Sequence, residues 1–274
     1  MRCRVMGVLN VTPDSFSDGG RHLDHASART AGLALHAAGA DIVDVGGEST
    51  RPGAARVPEA VEAARVLPVI HALAAAGMAV SVDTTRAAIA AAAIDAGAVM
   101  VNDVSGGRQD PAMHRTVAAA DGVDYVLGHW RAPSAVMDQH ARYDDVVDEV
   151  ATELRLQVDR ACAAGIDKER IVVDPGLGFA KELDHNWALL AALPTIGELG
   201  LRTMVGASRK RFLASLPGDA AGAVRPPGER DAATVATTVW AALHGAWAVR
   251  VHAVRPSVDA LAVVGRLLDA GERP

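Results

Sequence analysis

The chain has 274 residues, half of them hydrophobic, with aromatics at only 3% and a net charge of −6 from 27 Lys+Arg against 33 Asp+Glu. That length suits one α/β barrel, typically ~250 residues, better than one open-sheet domain. Charges of both signs are interspersed with no basic stripe, which argues against a nucleic-acid partner, and no apolar stretch approaches the ~20 residues of a membrane span. Cys3 and Cys162 have neither metal-ligand spacing nor a disulfide framework, and the N-terminus turns polar too soon for a signal peptide, so a soluble cytoplasmic protein without membrane association is expected.

Short apolar runs at 5–9, 42–45, 79–82, 99–101, 125–127, 171–173, 203–205 and 249–251 alternate with longer segments of helical period. The segment 60–76 contains Pro68, which must kink the helix or start its second part. In 144–164, Val147, Val150, Leu154, Val158 and Ala161 recur at steps of three and four behind Asp144 or Asp145 as the cap. A last helix is expected to open at Ser257, with Val258, Leu261, Ala262 and Leu268 on one face. Gly39, Gly77, Gly97 and Gly165 mark helix ends just before the next strand. The stretch 216–230 reads as an exposed loop. About eight βα units in strict alternation predict one domain over 1–274, a (β/α)₈ TIM barrel of parallel strands and outer helices, with a doubly wound open sheet as the alternative.

Nearly every apolar run ends in a polar residue: Asn10, Asp83, Asn102, His129, Asp174, and Ser208–Arg209–Lys210 after the seventh run. Arg250 and His252 flank Val251, so alternation sends both side chains the same way. One Asp or Asn after a strand is ordinarily a cap or turn residue. In a barrel, however, these positions converge on the C-terminal mouth, where active sites are built. No nucleophile elbow, HExxH or Walker loop occurs. What remains is two carboxylates (Asp83, Asp174) and an amide (Asn102) for a donor-rich heterocycle, beside cations (Lys210, Arg250, His252, Arg51) for a phosphate-like group.

The blocks MGVLNVTPDSFSDGG (6–20), DIVDVGGESTRPG (41–53), SVDTTR (81–86), NDVSGG (102–107), DPGLGF (174–179), GASRKRF (206–212) and RVHAVRPSVDA (250–260) resemble the dihydropteroate synthase family, in order, over essentially the whole chain. The resemblance implies condensation of 7,8-dihydropterin-6-ylmethyl pyrophosphate with p-aminobenzoate to give 7,8-dihydropteroate and pyrophosphate. By match to the family, Asp83, Asn102, Asp174 and Lys210 bind the pterin, and Asn10, Arg250 and His252 serve the pyrophosphate and Mg²⁺, with Asn10 as the metal ligand. Asn10, Asp174, Lys210, Arg250 and His252 are the expected catalytic set. Phe16, Thr50, Arg51 and Pro52, on two long loops, together with Ser208 would bound the p-aminobenzoate pocket. Sulfonamide inhibition and a homodimer are further expectations from the resemblance.

Two positions depart from the family. Gly128 replaces the usual Met before His129, which predicts a gap of several methylenes, and Ala253 replaces the usual Asp after Arg-Val-His. Trp240 and Trp247 are expected to be buried in packing, with a dimer interface as the alternative, and Glu48 to be a solvated loop charge. The alternatives are a catalytically silent pterin-binding paralogue and a methyltetrahydrofolate–corrinoid methyltransferase.

Overall fold

The computed structural model describes residues 2–12, 25–49, 56–133, 135–214, 216 and 224–271. Its strands are β1 (Arg4–Asn10), β2 (Ile42–Gly46), β3 (Val80–Asp83), β4 (Met100–Asp103), β5 (Asp124–Gly128), β6 (Ile171–Asp174), β7 (Arg202–Val205) and β8 (Ala248–Val251). They pair in parallel in chain order, and β8 pairs back onto β1, so the sheet is a closed barrel and the open-sheet alternative is excluded. The helices are α1 (His25–Ala37), α2 (Glu59–Ala75), α3 (Ala87–Asp95), α4 (Met113–Ala118), α5 (Val146–Ala163), α6 (Leu183–Ala191), α7 (Leu193–Gly197), α8 (Asp231–Leu243) and α9 (Val254–Gly271).

Side-chain alternation divides each strand between two apolar layers. Outward residues such as Val43, Val82, Val101, Leu127 and Val249 join the helix faces in the larger core. Inward residues Met6, Ile42, Met100, Val126, Val172, Met204 and Ala248 fill the lower barrel together with Trp247. Trp247 is buried as expected, with the guanidinium groups of Arg4 and Arg202 5.0 and 4.8 Å from its ring centroid. Trp240 is not: it is 43% exposed and donates its indole N–H to Leu190 O at 2.8 Å.

Helix α2 runs unbroken through Pro68. Proline deprives the carbonyl four residues back of its donor, and here that carbonyl, Ala64 O, meets Nε2 of His25 at 2.9 Å. Asp145 caps α5, accepting from the N–H groups of Val147 and Asp148. Helix α9 opens at Val254 rather than Ser257, and its buried face is Val254, Ser257, Leu261 and Val264, leaving Leu268 53% exposed. Gly39, Gly77, Gly97 and Gly165 all have positive φ, the left-handed conformation that ends a helix without a Cβ penalty. Among the described residues no helix is long and apolar enough to cross a membrane.

Candidate active site

The inward alternation that fills the barrel floor continues upward into polar residues. Above Met6, Ile42, Met100 and Val172 stand Asn10, Asp44, Asn102 and Asp174 respectively, and β3 contributes Asp83. Register places Asn10 beside Gly46, Gly46 beside Asp83, and Asp83 beside Asn102, forming a row around one side of the mouth. Gly46 and Gly206 keep the space between these groups clear. A Cβ on Gly46 would lie 3.5 Å from Asp83 Oδ2 and 3.8 Å from Asn10 Oδ1. A Cβ on Gly206 would lie 3.5 Å from Asp174 Oδ2 and 3.9 Å from Lys210 Nζ.

Arg250 ties this row together. Its Nε donates to Asp44 Oδ2 at 2.6 Å and its Nη2 donates to Asp83 Oδ2 at 2.6 Å. Asn102 Nδ2 donates to the same Asp44 oxygen at 2.9 Å. Asp44 is fully buried, and its second oxygen has no partner among the described residues. Asp44 stands in mid-strand and does not follow the pattern of a polar residue at a strand end, so the strand-end pattern does not reveal it. The signal was its place in IVDVG: a charge with the inward parity of a buried strand demands a buried partner. Burial pushes the Asp83 pKa up, Arg250 pulls it back, and the carboxylates Asp44, Asp103 and Glu48 add to the rise. Burial works against the charge of Arg250, but Asp44 and Asp83 outweigh it and hold the guanidinium firmly protonated.

Across the mouth, Asp174 Oδ1 accepts from the N–H of Gly176 at 2.7 Å, starting the loop that follows β6. Lys210 donates to Leu177 O in that loop, and its ammonium lies 4.6 Å from the centroid of the Phe179 ring. Burial lowers the Lys210 pKa to about 8, with Arg250 adding to the fall while Asp174 and Asp83 oppose it. Arg209 sets the direction of its neighbours. It has φ 60, its side chain turns out to Asp231 in two bonds of 2.7 and 2.8 Å, and Ser208 and Lys210 on either side turn inward. Ser208 Oγ lies 2.9 Å from His252 Nδ1 and accepts from the His252 N–H at 3.1 Å, joining β7 to β8 at the rim.

Thus Asn10, Asp83, Asn102, Asp174, Ser208, Lys210, Arg250 and His252 all stand at one mouth. Phe16, Thr50, Arg51 and Pro52 lie outside the described residues. The polypeptide flanking the second of these loops is anchored by ion pairs. Glu48 pairs with Arg56 and Arg86 at 3.3 and 3.2 Å and accepts from the Val57 N–H at 3.0 Å, so it is a structural charge and not a solvated one. Arg86 also pairs with buried Glu62, which accepts from Thr84 at 2.6 Å. The SVDTTR block therefore sends Asp83 into the mouth and uses Thr84 and Arg86 to fasten what surrounds it.

Gly128 leaves no gap. A Cβ there would meet Val104 O at 2.7 Å and Val104 Cα at 2.8 Å, so the backbone after β4 fills the space. That backbone is held by Asp103, which accepts from the N–H and hydroxyl of Ser105, the N–H of Gly107 and the hydroxyl of Tyr125. His129 is fully buried and faces Glu153 and Lys181. Ala253 immediately precedes α9, where its carbonyl accepts from Ser257 Oγ at 3.0 Å.

A closed parallel barrel whose C-terminal mouth joins buried carboxylates and an amide to the cationic Lys210 and Arg250 and the imidazole of His252 defines a barrel enzyme for a substrate that is part heterocycle, part anion. Residues 6–252 match the model of the family described as pterin binding enzyme. A dihydropteroate synthase of Mycobacterium leprae is 59% identical over 98% of this chain and 94% of its own. The structure of Xanthomonas albilineans dihydropteroate synthase with 4-aminobenzoic acid superposes with a TM-score of 0.89 at 44% identity, covering 100% of this chain and 94% of that one. The Yersinia pestis dihydropteroate synthase in a sulfonamide drug complex gives 0.89 at 39% identity, covering 98% and 95%. The chain belongs to the pterin binding enzyme family, among its dihydropteroate synthases.

Proposed function

We propose that the protein condenses 7,8-dihydropterin-6-ylmethyl pyrophosphate with p-aminobenzoate, forming 7,8-dihydropteroate and pyrophosphate. The observation that carries this reading is the meeting of two sets of groups in one mouth. Asp83, Asn102 and Asp174 offer hydrogen-bonding partners to a pterin edge, and Lys210, Arg250 and His252 stand beside them for the pyrophosphate. The 4-aminobenzoic acid bound to the Xanthomonas relative supports the second substrate.

In this reading Asp83 and Asp174 accept N–H bonds from the pterin and fix its plane, and Lys210 donates to its acceptor edge. The C–O bond to pyrophosphate breaks with its electron pair leaving on oxygen. Arg250 and His252 stabilise that charge in a partly buried mouth, where a fixed cation counts for more than in water. The cation left on the methylene is delocalised into the ring. The arylamine lone pair then forms the new C–N bond, and the resulting anilinium releases its proton to water. No enzymic nucleophile takes part. A dissociative order of this kind predicts a clear bridging-oxygen isotope effect at a chemically limited step; a value near unity overturns it.

Magnesium fits the rim in one specific way. The side chain of Asn10 has no hydrogen bond among the described residues, and no group of three or more His, Cys, Asp or Glu side chains among them could hold a metal. The resemblance to the family assigns the ion to Asn10, whose side-chain oxygen would hold it from this chain alongside substrate oxygens and water, a donor set that suits Mg²⁺. When bound, the ion would supply positive charge that favours departure of the pyrophosphate.

The test is pyrophosphate release by the purified protein with the pterin pyrophosphate, p-aminobenzoate and Mg²⁺. Release that requires both substrates is expected; pterin binding without release identifies a silent paralogue instead. Sulfonamides are expected to compete with p-aminobenzoate, a reading supported by the sulfonamide drug complex of the Yersinia relative.

A further inference from the structure

Behind the mouth lies a buried polar chain that the proposed reaction does not use. Lys181 is 6% exposed, and its ammonium donates to His129 Nδ1 at 2.9 Å, Gly176 O at 3.0 Å and Phe179 O at 3.0 Å. All three of its protons are therefore placed. Since His129 accepts on Nδ1, its proton sits on Nε2, which donates to Glu153 Oε2 at 3.1 Å. Glu153 in turn accepts from Arg131 at 2.5 and 3.0 Å.

The loop 174–181 is wound tightly around this ammonium. Gly176, Gly178 and Ala180 have φ of 66, 77 and 48, and a Cβ on Gly176 would fall 2.1 Å from His129 O. Ala180, buried and not glycine, holds a left-handed conformation that a side chain disfavours and that persists only where neighbours enforce it. Carbonyls 176 and 179 turn to Lys181, while carbonyl 177 and the Phe179 ring turn to Lys210. The two lysines grip one loop from opposite sides.

We propose that Lys181 is a positioning residue for the pterin subsite: by gathering Gly176 O, Phe179 O and His129 it fixes the loop that presents Leu177 O and the Phe179 ring to Lys210. The proposal rests on the reading of Lys210 as a pterin-binding group. Burial and the nearby Lys210 lower the Lys181 pKa to about 7, with Asp174 opposing, Arg131 assisting and Glu153 opposing the fall. Burial and Lys181 keep His129 neutral, its pKa lowered to about 3, so the acceptor on Nδ1 persists throughout the neutral range.

The experiment compares wild type with Lys181→Met, which keeps length and removes charge, and Lys181→Arg, which restores charge. KM is measured for each substrate, and Kd by calorimetry for 6-hydroxymethylpterin. In Lys181→Met, pterin KM and Kd are expected to rise about tenfold or more while p-aminobenzoate KM stays within about twofold, with partial recovery in Lys181→Arg. Unchanged pterin Kd in a folded Lys181→Met variant overturns the proposal, as does an equal loss for both substrates. Glu153→Gln, on the partly exposed face of α5, covers the case in which Lys181→Met does not fold. It removes a charge that favours the Lys181 ammonium, so the Lys181 step of the alkaline limb, which lies below that of Lys210, should move to lower pH; a limb unmoved at that step overturns the proposal too. A wild-type protein that binds pterin without turnover defeats the synthase reading, yet the calorimetric comparison still decides the role of Lys181.

Discussion

Asp44 and Arg250, 206 residues apart in sequence, meet at the barrel mouth with only β1 between their strands, through one 2.6 Å bond from Nε to Oδ2. The same oxygen holds Asn102, so one carboxylate couples the proposed pyrophosphate and pterin groups. Asp44→Asn keeps the shape and removes the charge, leaving Arg250 with Asp83 alone. Breaking a buried pair costs ~3–5 kcal/mol, some of which solvent entering the open mouth recovers. Turnover per KM is expected to fall at least about tenfold with Arg250 displaced. Steady-state kinetics and a thermal melt check this; wild-type rates would show that Asp44 does not orient either group.

At Lys210 and Asp174 the expectation is different, because these side chains face the pterin in the proposed reaction. Lys210→Ala and Asp174→Asn should each reduce turnover by about two orders of magnitude or more, while circular dichroism stays native. Near-normal rates would refute their roles.

Gly128 is a packing prediction. An added Cβ would stand only 2.7 Å from Val104 O, so Gly128→Ala must push the backbone after β4, and Gly128→Met must displace more of it. Overpacking of this kind costs ~1–3 kcal/mol. A lower denaturation midpoint for both variants is expected, measured in urea; a stabilised Gly128→Met would mean that the site can open to receive the side chain.

The buried imidazole of His129 makes stability depend on pH. Its folded pKa, lowered to about 3 by burial and Lys181, lies below the ordinary 6.5. The unfolded chain therefore binds the extra proton first, so stability is intact above 6.5 and is lost as pH falls through the window from 6.5 to 3. The slope contributed is at most ~1.4 kcal/mol per pH unit. Glu153, held down to about 2 by bonds from His129 and Arg131 against the effect of burial, extends the loss in the same direction. Asp83, raised to about 7 by burial, acts in the opposite direction between 7 and the ordinary 3.8. The His129 contribution is therefore read as the difference between wild type and His129→Gln in urea titrations from pH 7 to about 4, with the wild type losing stability relative to the variant as pH falls.

Ala253 tests a helix end. It stands just before Val254, the first residue of α9. An aspartate there can accept from the free N–H groups of the first turn, so Ala253→Asp should raise stability by ~0.5–2 kcal/mol. Chemical denaturation checks it, and no gain would mean that the α9 N–H groups are already satisfied.

The sequence by itself determined the barrel, most of its strands, and the polar strand ends at Asp83, Asn102 and Asp174, because strand period and position depend on local order alone. It also determined Arg250 and His252 as a pair on one side of the sheet, since alternation needs no tertiary contact. Only the tertiary structure decided who meets whom. Asp44 is recognisable as a site residue once Arg250 arrives from the other end of the chain, and Lys181 once the β6 loop folds over His129. Glu48 becomes an anchor through Arg86, and the space beside Gly128 is filled by backbone from the neighbouring strand's loop. Buried charges and close contacts are set by groups distant in sequence, and local periodicity carries no record of those partners.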